Sequence, residues 1–370
     1  MVRKLSILAL LVCLLAGLLS PGLVLAQGDI AVSASSAKVE FPLKLNFSIS
    51  AQSASSITDI RLRYKVEQAN FVADVTSEIL LEFNPATRVE ARWTWDMRKS
   101  GGMPPGTAVT YWWTVKDARG STVETSPVSL SFDDTRYTWR QITEGKVTIL
   151  WYEGNETFAR ELMRVAQETL RQLAQATGAQ LEKPVKIYIY ASSGDLQGAM
   201  IFPQEWTGGV TFTRFGTISI GISPSQLAWG SRAMAHELTH LVTNQVTFNA
   251  YGDTPVWLDE GLAMNFEGPI EVPFANALAK AIAEQRLFSV RTLAIPFSAF
   301  ADEAILDYAE SHSIVAFLIK EYGQAKMLDL LNAFRQGASY DGALMKVYGF
   351  DMDGLNALWR QRIMPGVKVG

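Results

Sequence analysis

His236-Glu237-Leu238-Thr239-His240 places two imidazoles four residues apart, with a carboxylate beside the first. On an α-helix, positions i and i+4 share one face, so both rings can meet one metal ion. In this HExxH pattern the glutamate stands where a general base is needed for a metal-activated water. The chain has three histidines, so two of them falling in one pentapeptide is a concentration that chance does not favour. Twenty residues on, Trp257-Leu258-Asp259-Glu260-Gly261 brings another carboxylate, Glu260, into an apolar segment. Burying a carboxylate is costly unless it is paired or bound to a metal. Two histidines and a glutamate leave a fourth coordination position open, as catalytic zinc sites do. Zn2+ is therefore the expected cofactor, held by His236, His240 and Glu260, and hydrolysis with Glu237 as base is the expected chemistry.

Several neighbours have two readings each. Asp259 can accept a hydrogen bond from a ligand histidine or cap the helix that begins there. Asn244, one turn past His240, is placed to brace the returning loop. Gly261 permits a close helix approach or eases a turn. Tyr308 and His312 share a helix face with Val315 and Ile319. Either can donate to the oxyanion of a tetrahedral intermediate, and either can simply line a core or groove. Tyrosine keeps its proton at neutral pH, whereas histidine has mostly lost its charge there, which favours Tyr308 as donor. Leu238, Leu241 and Val242 give the helix an ordinary core face with or without metal.

These residues need a scaffold. The spacing predicts the catalytic helix from about Leu227 to Val246. Strands are expected at Lys146 to Tyr152, Pro184 to Tyr190 and Gly216 to Ile222, with a helix from Glu156 to Thr177 closed by Gly178. Gly208 to Thr211 reads as an edge strand open to an extended peptide or as a plain hairpin. Beyond Glu260, helices are predicted at Pro273 to Arg286, Asp302 to Tyr322, Gln324 to Phe334 and near Asp353 to Gln361. Upstream, residues 40–133 alternate with period two, as in Phe47/Ile49, Ile60/Leu62/Tyr64, Trp93/Trp95 and Val109/Tyr111/Trp113. Short antiparallel strands at this spacing suggest a β-sandwich, with the look of an immunoglobulin-like or fibronectin type III module. Trp93, Trp95, Trp112 and Trp113 suit core packing there better than a carbohydrate-binding face. The expected class is α+β: a sandwich at 27–135, a linker at 136–145, and at 146–370 a small mixed sheet, an active-site helix and a helical lobe.

Residues 1–26 have a basic start, an apolar run from Leu5 and small residues ending at Ala26, the three regions of a secretory signal peptide. Its removal takes away the single cysteine, Cys13, so the mature chain has neither disulfides nor thiolate ligands. The expected location is extracytoplasmic, with no stable membrane span after cleavage. The charge is mildly acidic, 33 basic residues against 37 acidic, with no basic stripe, which argues against nucleic acid as a partner.

HELTH followed by PVWLDEGLA (residues 255–263) resembles the gluzincin clan of zinc metallopeptidases, and most of all its bacterial peptidase MA-like family. The likeness covers roughly residues 146–362 and includes YAESHSIVAFLIKEYG from Tyr308 to Gly323. It implies His236, His240 and Glu260 as ligands, Glu237 as base, and a peptide or protein substrate. Thermolysin-like members carry an acidic residue one turn beyond the glutamate ligand. Here Met264 stands in that place, with Asn265 and Glu267 nearby, so the outer partners of the ligands must differ. The competing function is an inactive envelope-associated or adhesive binding protein on the same scaffold, against which the intact Glu237 argues.

Overall fold

The computed structural model describes residues 30–68, 75–203, 207–298 and 300–364. The expected signal segment lies outside them. Strand β2 (Lys44–Val66) organises the first domain. Its first half pairs with β1 (Ile30–Glu40) on one side and β4 (Ala86–Asp96) on the other. The register shifts between Gln52 and Ile57. The second half then pairs with β3 (Ser77–Leu80) and β5 (Thr107–Asp117), and β5 carries β6 (Thr122–Glu124) and β7 (Val128–Phe132) on its far edge. One long strand thus serves both layers of an antiparallel sandwich, and the irregularity lets it pass from one to the other. Alternation does the rest. Leu45, Phe47, Ile49, Ile60, Leu62, Val109, Tyr111 and Trp113 are buried, while their neighbours in sequence face outward. Trp93 and Trp95 pack with Tyr64 on this core.

The second domain contains a five-stranded sheet, in the order β11 (Gly209–Phe212), β12 (Thr217–Gly221), β10 (Val185–Tyr190), β9 (Val147–Trp151) and β8 (Arg140–Glu144). The three central strands are parallel, and both edge strands run antiparallel to their neighbours. β12 is buried along its whole length and β10 at every residue but Lys186, as strands covered on both faces are. Helix α1 (Glu156–Thr177) starts at the Asn155 cap and ends at Gly178 in the left-handed conformation. The short α2 (Ser193–Gln197) follows β10. Helix α3 (Leu227–Thr247) buries Met234, Leu238, Leu241 and Val242. The chain then runs through α4 (Val256–Phe266), α5 (Val272–Ala283), α6 (Ala301–Arg335), α7 (Tyr340–Tyr348) and α8 (Met352–Ile363). The two helices expected on either side of Gly323 abut there, because Gly323 adopts φ 78° and breaks the helical path.

The expected linker at 136–145 is corrected. Arg140–Glu144 is β8, a strand of the second sheet. The domains also meet directly. Buried Asp134 accepts hydrogen bonds from Arg136 and, at 3.0 Å, from the Tyr190 hydroxyl. Tyr137 stacks on Tyr152 with centroids 4.0 Å apart. Lys186 Nζ donates to Gly106 O, and Ile201 and Phe215 pack on the sandwich core. Among the described residues, no helix is long and apolar enough to cross a membrane.

Candidate metal centre

Helix α3 projects His236 and His240 from one face, their ring centroids 4.7 Å apart. Helix α4 packs against α3 and presents Glu260 between them. Glu260 Oε2 lies 3.4 Å from each Nε2. The three side chains are 17 %, 13 % and 19 % exposed. Each Nδ1 faces a different carboxylate. That of His236 meets Glu267 Oε2 at 2.8 Å, and that of His240 lies 2.9 Å from Asp259 Oδ2. Glu267 holds the His236 Nδ1 and leaves its Nε2 free as a ligand, while the His240 Nδ1 faces Asp259 without a formed hydrogen bond. Glu260 Oε2 is buried and has no hydrogen-bond donor. An orphaned carboxylate oxygen between two imidazole nitrogens fits a divalent cation with N and O donors, and zinc suits the set.

The electrostatics agree. Burial pulls the His236 imidazole down, but Glu260 and Glu267 outweigh it and push its pKa up to about 9. His240 is likewise raised, with Asp259 and Glu260 overcoming its burial. Burial pushes Glu260 up, yet the two histidines hold it well below the usual carboxylate range. Carboxylates here have gathered cationic partners, so a bound metal would displace protons as it enters.

Glu237 leaves the same helix toward β11. The Thr211 hydroxyl lies against Glu237 Oε2 and 3.0 Å from its backbone oxygen. At Gly209, a Cβ would sit 2.9 Å from Glu237 Oε1, so the strand backbone closes on the carboxylate. The edge strand therefore flanks the base directly. Tyr308 lies beside the cluster, its ring centroid 6.5 Å from that of His236, between Phe274 and Phe297. Burial, then Glu260 and Glu237, keep its hydroxyl protonated. His312 lies one turn further along α6. Burial lowers its pKa, and Glu267 opposes.

Asp259 follows one of its two readings, and Asn244 differs from expectation. The α4 helix caps at Pro255, so Asp259 belongs to its first turn and faces His240 instead of capping. The loop brace is Asn249, not Asn244. Its Oδ1 accepts from Tyr251 N and Gly252 N, and its Nδ2 donates to Gly252 O and Phe334 O. Gly261 makes the close approach: a Cβ there would stand 2.5 Å from Val315 Cγ2 and 2.9 Å from the Ser311 carbonyl carbon. Sequence reasoning missed the roles of Thr211 and Arg232. Arg232 Nη2 holds Glu267 Oε1 at 2.7 Å and Nη1 donates to Pro269 O. For Glu267, the available signal was its spacing of two helical turns from Glu260.

A family model described as the Peptidase MA superfamily matches residues 165–365. No curated protein matches. Among solved structures, an M1 zinc metallopeptidase from Deinococcus radiodurans is 11% identical, covering 93% of this chain and 95% of that one, with a TM-score of 0.32. Aminopeptidase A of Legionella pneumophila, in complex with aspartic acid, is 8% identical, covering 90% of this chain and 50% of that one, with a TM-score of 0.37. A family 56 carbohydrate-binding module, a β-1,3-glucan-binding domain, is 17% identical over 28% of this chain and 99% of that one, with a TM-score of 0.18.

Proposed function

The chain belongs to the Peptidase MA superfamily, and on that premise we propose that it is a secreted zinc metallopeptidase of the gluzincin type. The observation that carries this reading is the convergence of His236, His240 and Glu260, with Glu260 Oε2 buried and unpartnered between the two rings. Zinc held by these three supplies Lewis-acid polarisation of the scissile carbonyl and a lowered pKa for the attacking water. Every other part is played by the chain. Glu237 takes the proton of the attacking water and passes it to the departing amine. Thr211 and the close backbone of Gly209 fix the Glu237 carboxylate in place. Strand β11, at the edge of its sheet, offers its outer side to an extended peptide. Tyr308, protonated and beside His236, donates its hydroxyl to the oxyanion, with His312 one turn along the same helix. Export through residues 1–26 is part of the proposal, and sequencing the amino terminus of the exported protein checks it.

The test is cleavage of a diverse peptide library, read by mass spectrometry, with zinc content measured in parallel. Wild type should cleave, and Glu237→Gln should keep zinc while losing cleavage. A zinc-loaded wild type that cuts nothing, and a Glu237→Gln variant indistinguishable from it, would favour the binding-protein reading instead.

A further inference from the structure

A cavity of about 340 Å3 opens on the His240 side of the metal cluster. His240 and Glu260 belong to its wall, so it is continuous with the reaction centre. Thr213 also lines it. Thr213 directly follows β11, whose other end, at Gly209, lies against Glu237. A peptide laid along β11 past Glu237 is therefore led into this cavity. The volume accommodates a long side chain.

The wall is anionic and polar. Beside the proposed metal ligand Glu260, Asp253 and Asp259 contribute carboxylates and Asn244 and Thr254 neutral polar groups, and among the described residues neither lysine nor arginine lines it. Asp259 turns Oδ2 to His240, which leaves Oδ1 for a ligand. Asp253 is exposed at the rim of the cavity, and Asn244 and Thr213 are half-buried in its wall. The loop that carries Asp253 is built: four hydrogen bonds from the Asn249 side chain tie it to itself and to Phe334 O. The opposite flank, on the His236 side, has another character. Phe274, Phe297 and Tyr308 form an aromatic wall, with Phe297 and Tyr308 centroids 5.2 Å apart.

We infer that the cavity is a subsite for a cationic group of the substrate, a lysine or arginine side chain, with Asp253 as its principal anion. This rests on the peptidase reading above. Antiparallel pairing puts the amino-terminal half of the peptide at the Thr213 end of β11. The cation then belongs to a residue on the amino-terminal side of the cut bond. A free α-amino group shares that chemistry and is the other source of it. The aromatic flank receives an apolar residue on the far side of the bond.

The experiment uses matched hexapeptides that carry Lys, Arg, Gln or Glu before the cut bond, each with a free or an acetylated amino terminus. Zinc-loaded wild type and Asp253→Asn are compared by kcat/KM, and binding of the same peptides to Glu237→Gln is measured by calorimetry. For acetylated peptides, Lys and Arg should exceed Gln by at least about tenfold, or 1.4 kcal/mol, and Glu should be poorest. Asp253→Asn should shrink the Lys-to-Gln ratio at least about fivefold, and raised salt should shrink it further. A preference that appears only with free amino termini, and is lost in Asp253→Asn, assigns the cavity to the α-amine and overturns the side-chain assignment. Equal rates for Lys, Gln and Glu overturn the subsite altogether. If no peptide is cut yet Glu237→Gln binds Lys peptides more tightly than Glu peptides, the subsite stands and the peptidase reading fails. Neither cutting nor charge-selective binding overturns both.

Discussion

Gly261→Ala is the most informative single change, because it tests the helix contact that seats Glu260. In an open helix, alanine would stabilise by about 1 kcal/mol over glycine. Here the added Cβ would stand 2.5 Å from Val315 Cγ2 and closer still to the Ser311 carbonyl oxygen. Ordinary contact begins near 3.4 Å, so α4 and α6 must part by roughly 1 Å, since a helical carbonyl cannot rotate away. Overpacking of this kind costs about 1–3 kcal/mol, and a rigid backbone neighbour places the cost at the upper end. The balance is a net loss of about 2 kcal/mol, or a Tm lower by roughly 4–8 °C in a domain of this size. Glu260 precedes Gly261 and sits 3.4 Å from both imidazole nitrogens. Displacing it by a similar amount should weaken zinc binding at least about tenfold, 1.4 kcal/mol. Thermal unfolding of the metal-free protein and competition against a chelator read the two effects separately. A variant more stable than wild type, with unchanged zinc affinity, would show that propensity wins and that the two helices do not pack as described.

Two further outcomes are expected. Glu267→Gln removes the anion that joins Arg232 to His236 Nδ1, so zinc affinity should fall about 10–100-fold; unchanged affinity would mean that Glu267 serves Arg232 alone. Glu310 is buried on α6 with Oε1 accepting from Phe288 N and Oε2 unpartnered, and burial raises its pKa to about 8. The folded state therefore holds this proton up to pH 8 while the unfolded chain releases it near the ordinary glutamate value. The stabilisation is complete below that value and is lost as pH rises through 8. Glu310→Gln, which cannot ionise, should be more stable than wild type above pH 8 in denaturant titrations, with the difference closing toward pH 5; a constant difference would place the charge elsewhere.

The His236–His240–Glu260 cluster was legible because its chemistry is local. His236 and His240 need only a helix to meet, and Glu260 stood out as a carboxylate in an apolar run. Helix α1 was bounded to the residue by Glu156 and Gly178, where composition and capping agree. The outer partners were not legible, since they come from tertiary packing. Thr211 reaches Glu237 across 26 positions from a four-residue strand. Glu267 reaches His236 across 31, from the end of a neighbouring helix. The Ser-rich residues 50–56 have little strand propensity, yet they lie within β2, where 50–52 pair with both β1 and β4. Residues 140–144 looked like a linker because only their pairing with β9, and not their own pattern, makes them a strand. Tyr308 and His312 share a helix face in sequence, and only the packing puts the Tyr308 ring beside His236.

The strand β8 has a mechanical consequence. The chain leaves the sandwich at Phe132 and is already hydrogen-bonded into the second sheet by Arg140. Between them, Asp134, Arg136, Tyr137 and Trp139 are clamped on Tyr152 and Tyr190. The joint behaves as a weld, with no slack for one lobe to swing against the other. A group bound on the sandwich would therefore keep a set offset from the His236–His240–Glu260 cluster.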